Sequence, residues 1–255
     1  MSMITPSVFY IIVYIWIAIG LVSFPFVLSN VAPYGRHTSS KWGAMISNRW
    51  GWIIMEAPAL LVFVIFFLMG SPNHNAPTWI FFSLYAIHYI NRDIIFPLRL
   101  RTKGKKMPLA IMFMAIFFNL VNGFINGYYL GNLADEHTAA WLQDPRFISG
   151  IAVFFAGMFI NMQSDNILIH LRKPGETGYV IPKGGLFRFI SCPNHFGEIL
   201  EWFGYALMTW SSPGLAFAVW TLVNLLPRAL HHHRWYQATF TNYPAERKAV
   251  LPYLL

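Results

Sequence analysis

Apolar residues fall along this chain in seven long runs, at about 7–28, 51–69, 78–98, 108–130, 147–170, 195–212 and 214–231, separated by short polar connections. Each run is close to or above the roughly 18 residues that an α-helix, rising about 1.5 Å per residue, needs to cross a hydrocarbon core about 30 Å thick. The pattern predicts an all-α integral membrane protein of about seven transmembrane helices. Before the first run there is no basic segment, and no small-residue cleavage site follows it, so a retained span is expected rather than a signal peptide. No internal repeat is visible and the longest connections hold about 25 residues, which predicts a single membrane-embedded domain over 1–255.

Composition agrees, with 56% hydrophobic and only 11% charged side chains, against about a quarter charged in soluble domains. The positions of the charges add an orientation. Of 18 Lys and Arg residues, all but Arg92 and Arg146 lie in 29–50, 99–106, 171–194 or the C-terminal part, whereas the intervening connections carry Asp135, Glu136 and Asp144. Cytosolic loops hold the Lys and Arg excess, so the N-terminus is expected outside and the C-terminus in the cytosol. The net charge of +8 is then largely a topology signal; no nucleic-acid motif accompanies it, although a basic cytosolic face also suits an anionic cofactor. The single cysteine, Cys192, excludes an internal disulfide and a Cys-rich metal site.

Ionisable residues inside apolar runs cost about 2.5–3.5 kcal/mol each on insertion scales and are candidate functional groups for that reason. Here they are Glu56 in the second run; His88, Arg92 and Asp93, with Tyr89 and Asn91, in the third; Asp165 and His170, with Asn161 and Asn166, in the fifth; and Glu198 and Glu201 in the sixth. Asn161 and Asp165 are four apart and share a helix face, as do Tyr89 and Asp93, and Asn194 and Glu198 once the helix has begun. One reading is that these groups merely satisfy one another, Arg92 pairing with Glu56 or with Glu198. The recurrence of polar groups toward the cytosolic ends of four runs points instead to one shared, water-accessible cavity.

Signatures of most soluble enzymes are missing: there is no GxGxxG, Walker loop, HExxH or GxSxG. The run of histidines at 231–233 is not expected to bind a metal, because neighbouring helical residues point about 100° apart. More unusual is the connection "LRKPGETGYVIPKGGLFRFISCPNHFGEILEW", 171–202, which carries seven formal charges.

That connection, with "NMQSDNILIHLRKPGE" before it and "NHFGEILEWFGYALMTWS" and "RALHHHRWYQATFTNYPAERKAVLPYLL" after it, closely resembles the C-terminal half of the steroid 5α-reductases. These are membrane enzymes that reduce the Δ4 double bond of 3-oxo steroids with NADPH. The likeness extends more weakly through "HYINR" and the Glu56 segment, and so over most of the chain. It implies a nucleotide site at Arg92, Asn161, Asp165, Arg172, Tyr179, Asn194, Glu198, His232 and Tyr236, in a part spanning about 147–255. A pair that holds the steroid carbonyl is implied at Glu56 and Tyr89, in a part spanning about 1–130. The family's basic "RGR" becomes "RLRTKGKK" here, its arginines falling on Arg101 and Lys103. Lys103 keeps the charge without the bidentate fork of an arginine.

The charged connection then reads as a cofactor lid. Arg172, Lys173, Lys183 and Arg188 suit phosphates; Asp165, Asn194, Glu198 and Glu201 suit ribose hydroxyls and a carboxamide; Pro174, Gly175, Gly178, Pro182, Gly184 and Gly185 suit an irregular covering loop. Reduction of an enone needs a hydride at the β-carbon and donors for the charge growing on the carbonyl oxygen. Tyr89 can donate directly and Glu56 can donate as a neutral acid, which an apolar site favours. An apolar steroid is expected to enter from lipid between the Trp- and Phe-rich first, second and fourth runs. The nucleotide site would face the cytosol of a bacterial inner membrane or of the endoplasmic reticulum. Neither nucleic acid nor an obligate protein partner is implied. Two other classes fit the chain less well: methyl transfer to a prenylated cysteine, disfavoured by a connection suited to phosphates that S-adenosylmethionine lacks, and non-catalytic sterol binding or transport, disfavoured by the absence of related halves.

Overall fold

A computed structural model describes residues 4–71, 74–101, 104–134, 137–172 and 178–255. Helices occupy all seven apolar runs. In chain order they are α1, Pro6–Ser29; α2, Asn48–Leu68; α3, Ala76–Tyr89, continued by a π-helical turn over Ile90–Ile95 into the short α4, Phe96–Arg99; α5, Leu109–Asn132; α6, Pro145–His170; α7, Pro193–Thr209; and α8, Ser212–Thr239. The helix starts follow from local chemistry. Side chains of Thr5, Asn75, Asp144 and Ser211 accept the otherwise unpaired N–H groups of Val8, Thr78, Arg146 and Gly214, and each of these helices carries a proline in its first turn, where no bond is lost.

Five helices, α1, α2, α5, α6 and α8, are long and apolar enough to cross a membrane. The other two expected spans differ from the simple reading. The third run is divided at Ile90, leaving 14 residues in α3, and α7 has 17 residues interrupted by Glu198 and Glu201. α7 stops at Trp210, whose backbone turns left-handed at φ 44°, and α8 continues past the expected end at 231 to Thr239. Lys103, Asp135, Glu136 and the stretch 173–177, with Lys173, Pro174 and Gly175 of the expected lid, lie outside the described residues.

Two helix pairs are packed backbone to backbone. Gly123, Gly127 and Gly131 on α5 face Pro58, Ala59, Phe63, Phe66 and Phe67 of α2, so a methyl group at any of the three would meet α2 main chain. Gly150 and Gly157 on α6 interlock with Gly197 and Gly204 on α7, each glycine lying against the backbone of the opposite helix. In a bilayer, lipid is as apolar as leucine, so close packing of small residues rather than hydrophobic burial drives such pairing. α8 closes the assembly: Trp220 lies over Gly20 of α1 and donates to the Trp16 carbonyl at 2.9 Å. Inside, Tyr85, Phe63, Trp202, Tyr205 and Phe217 form a continuous aromatic core.

Two short strands tie the connections together at one end, β1, Met45–Ser47, pairing antiparallel with β2, Lys106–Pro108. The C-terminal segment folds back beside 189–192, with Ser191 N and Cys192 N donating to the Lys248 and Ala249 carbonyls at 2.8 and 3.0 Å.

Gly157→Val and Gly197→Val are each expected to destabilise the protein by about 3 kcal/mol or more, beyond ordinary overpacking, because backbone cannot move aside as a side chain can. Ala156→Val, one residue away on the exposed side of α6, should cost less than about 0.5 kcal/mol. Thermal unfolding in detergent compares the three.

Candidate functional site

The π-helical turn sets the geometry of the inner polar cluster. It carries Arg92 toward α6 and α7, where the guanidinium meets Asp165 at 3.5 Å and Glu198 at 3.4 Å, all three side chains being largely buried. Arg92 also lies over the Trp52 and Phe96 rings at 4.8 and 5.1 Å, and its carbonyl accepts from the Trp52 indole at 3.0 Å. Both ion-pair distances are long for charge-assisted bonds, which leaves the guanidinium with donor capacity for a third group. Because Gly157 lets α7 approach, Asn161 Nδ2 reaches the Asn194 carbonyl at 2.9 Å and Glu198 Oε2 at 3.4 Å. Five of the expected nucleotide residues, Arg92, Asn161, Asp165, Asn194 and Glu198, thus share one cluster.

Glu56 lies on α2 beside this cluster. Arg92, Glu198, Asn119 and His88 are its electrostatic neighbours, but its direct bond comes from Asn119 of α5, whose Nδ2 donates to Oε2 at 3.2 Å. Of the two partners considered for Arg92, the structure selects Glu198. Tyr89 is buried among Tyr85, His88, Trp202 and Phe217, with ring centroids 4.8, 5.1, 6.1 and 6.3 Å away, and Glu56 is among its charged neighbours. Tyr89 and Asp93 do not share an α-helical face, since the π-helical turn begins between them. Glu201, expected among the acceptors, is instead engaged: its Oε1 meets His88 Nδ1 at 2.8 Å, deep between α7 and α3.

A second cluster lies at the ends of α1, α6 and α8. Arg36, in the α1–α2 connection, donates to the Tyr236 hydroxyl at 3.1 Å and lies over the rings of Tyr236, Trp235 and Tyr179 at 4.4, 4.6 and 5.6 Å. His232 is 3.3 Å from His37 through ring nitrogens and faces His195 at 5.7 Å. The three consecutive histidines diverge: His231 meets the Leu28 carbonyl, His232 meets His37, and His233 meets Ser191. Beside this cluster a cleft of about 170 Å³ is lined by Gly35, Thr38, Asn48, Arg101, Lys105 and Arg172. Burial and the nearby guanidiniums of Arg172 and Arg36 pull the Lys105 ammonium below the ordinary lysine range. Arg172 donates to the Gly178 carbonyl at 2.9 Å, and Arg101 to the Arg172 carbonyl at 3.2 Å. Among the described residues these cations have no carboxylate partner, and Arg36 Nη1, Arg228 Nε and His195 Nδ1 are buried without a hydrogen bond.

Several members were not singled out from sequence. Arg36 stood only as a loop charge, and nothing local marks it. Asn119, Asn122 and Asn126 did carry a signal: they recur at one-face spacing in an otherwise apolar helix.

The five apolar helices make this a multi-pass membrane protein. The family model described as 3-oxo-5-alpha-steroid 4-dehydrogenase matches residues 105–255. The chain is 41% identical over 246 residues to 3-oxo-5-alpha-steroid 4-dehydrogenase 1 of Bos taurus, covering 95% of both. It is 41% identical over 227 residues to steroid 5-alpha-reductase DET2 of Gossypium hirsutum, covering 88% of both. With 3-oxo-5-alpha-steroid 4-dehydrogenase 1 of Homo sapiens it shares 40% over 243 residues, 94% of this chain and 93% of that one. The chain belongs to the steroid 5α-reductase, or 3-oxo-5-alpha-steroid 4-dehydrogenase, family of oxidoreductases.

Proposed function

We propose that the chain reduces the Δ4 double bond of 3-oxo-Δ4 steroids to the 5α-reduced 3-oxo product with NADPH, using seven spans and a cytosol-facing nucleotide site. The observation that carries this reading is the continuity of two environments. A half-buried carboxyl, Glu56, and a buried phenol, Tyr89, adjoin an aromatic core, and the polar line Arg92, Glu198, Asp165, Asn161 and Asn194 passes beside them. Farther out lies a basic cleft whose cations have no carboxylate partner among the described residues.

The donor set fits a phosphorylated dinucleotide. Arg36, Arg101, Lys105 and Arg172 offer positive charge for phosphates, the orphaned Nη1 of Arg36 and Nδ1 of His195 are unused polar atoms, and Tyr179, Trp235 and Tyr236 give flat faces for a base. Asn161, Asp165, Asn194 and Glu198 would hold the nicotinamide end. When bound, NADPH supplies the hydride that is added at C5 of the steroid. The protein's task is the carbonyl oxygen at C3, where negative charge develops as C5 is reduced. Tyr89 and a neutral Glu56 donate to that oxygen in a dry pocket, where fixed donors are most effective; a proton at C4 completes the reduction. Arg92 is paired with Glu198 and Asp165 on the nucleotide side, while the direct bond to Glu56 comes from Asn119.

The orientation follows the basic connections: a cysteine at 183 should be labelled from the cytosolic side and one at 135 from the other, and labelling of both from one side would contradict it. For the chemistry, Glu56→Gln should fold and bind NADPH normally, since Arg92 keeps both of its carboxylates. Turnover of a 4-ene-3-one steroid should fall roughly 10²–10³-fold, as in other sites that lose one such donor. Tyr89→Phe should behave likewise, and the double variant should lose less than the product of the two, because both act on one oxygen. A Glu56→Gln protein that turns over at the original rate would rule out the role of Glu56.

A further inference from the structure

Asn119 is a buried amide in a helix that is otherwise apolar on its lipid side, and both of its donor bonds are spent next to Glu56. Its Nδ2 donates to the Met55 carbonyl at 2.6 Å and to Glu56 Oε2 at 3.2 Å. The first partner is a backbone carbonyl, which only accepts, so the nitrogen and not the oxygen of the amide must face α2. The second hydrogen therefore points at Oε2, and because the carbonyl oxygen of a carboxylic acid is a stronger acceptor than its hydroxyl oxygen, this N–H favours Oε2 as the C=O. For a neutral Glu56 the proton is left to Oε1. The same pair of bonds clamps the carboxyl plane against rotation, since one end of the clamp is main chain. Gly123, one turn along α5, lies against the Ala59 and Pro58 carbonyls and brings Asn119 within reach.

We propose that Asn119 is a positioning residue for the reaction: it selects Oε1 as the proton-bearing oxygen of Glu56 and holds that hydroxyl toward the steroid carbonyl. This rests on the reading of Glu56 as a donor to that carbonyl. It predicts that Asn119 acts through Glu56 and has no separate effect once the carboxyl is gone.

The test is a double-mutant cycle on the full-length protein, using Asn119→Leu, Glu56→Leu and the double variant. Single-turnover NADPH oxidation with a 4-ene-3-one steroid is measured alongside NADPH affinity. Asn119→Leu should slow the reaction about tenfold, the scale of one hydrogen bond, with NADPH affinity unchanged. The double variant should match Glu56→Leu alone. A double variant about tenfold slower than Glu56→Leu would show that Asn119 acts elsewhere and overturn the inference while leaving the role of Glu56 intact. Glu56→Leu at the wild-type rate would overturn the underlying reading instead. Infrared spectroscopy supplies a readout without turnover: the carboxylic C=O stretch absent from Glu56→Leu should move to higher frequency in Asn119→Leu, because its acceptor bond is lost. An unmoved stretch counts against the inference. Should Asn119→Leu fail to fold, Asn119→Ala enters the same cycle with the same expected results.

Discussion

The arrangement depends on how closely two pairs of helix backbones approach at glycine. Two of the inner polar contacts lie about one turn from such a glycine. Asn161 reaches Asn194 and Glu198 beside the Gly157–Gly197 contact, and Asn119 reaches Met55 and Glu56 beside the Gly123 contact. Side chains as short as asparagine bridge two helices only when the axes are close. In lipid the alternative for such groups is an unsatisfied amide, which costs about 1–3 kcal/mol or more. The seams and the polar clusters therefore support each other: the glycines bring the groups together, and the groups hold the seams in register.

Arg92 links the pairs. It is presented from the π-helical turn on the α3 side to Asp165 on α6 and Glu198 on α7, while Trp52 on α2 lies under its guanidinium and donates to its carbonyl. Three charges in a low-dielectric setting are stable only while all are present; removal of one partner from a buried pair typically costs 3–5 kcal/mol. The cost of burying them is one reason to regard the cluster as more than packing, since apolar residues of similar size would hold the helices as well. His88 and Glu201 make a parallel tie, fixing the residue next to Tyr89 to α7 at 2.8 Å.

Much of this was legible in sequence, and the exceptions have physical causes. Hydrophobic runs located every helix, because a bilayer imposes length and apolarity on whatever crosses it. Periodicity does not report a π-helical turn, so the division at Ile90 was invisible, as was the loss of an α-helical relation between Tyr89 and Asp93. The end of α8 was misplaced because its last turns leave the apolar pattern while remaining packed through His231, His232 and Tyr236. Spacing paired Asn161 with Asp165 and Asn194 with Glu198, and the structure brings the two pairs into contact. Spacing could not decide which carboxylate Arg92 would choose, nor that Glu201 would be spent on His88, since both outcomes turn on rotation of helices about their axes. Arg36 joined Tyr179 and Tyr236 from 143 and 200 residues away, a contact that no local pattern encodes.

The proposed reaction makes one atom-level claim: a hydrogen of the reduced nicotinamide ends on the steroid at C5, delivered inside a pocket where Glu56 and Tyr89 hold the C3 oxygen. Single-turnover reduction of a 4-ene-3-one steroid with NADPH deuterated at C4, each stereoisomer tested separately, measures this directly. One isomer should place deuterium at C5 of the 5α product and the other none. Reduced steroid free of deuterium with both isomers, or no reduction at all by folded, NADPH-binding protein, would contradict the claim.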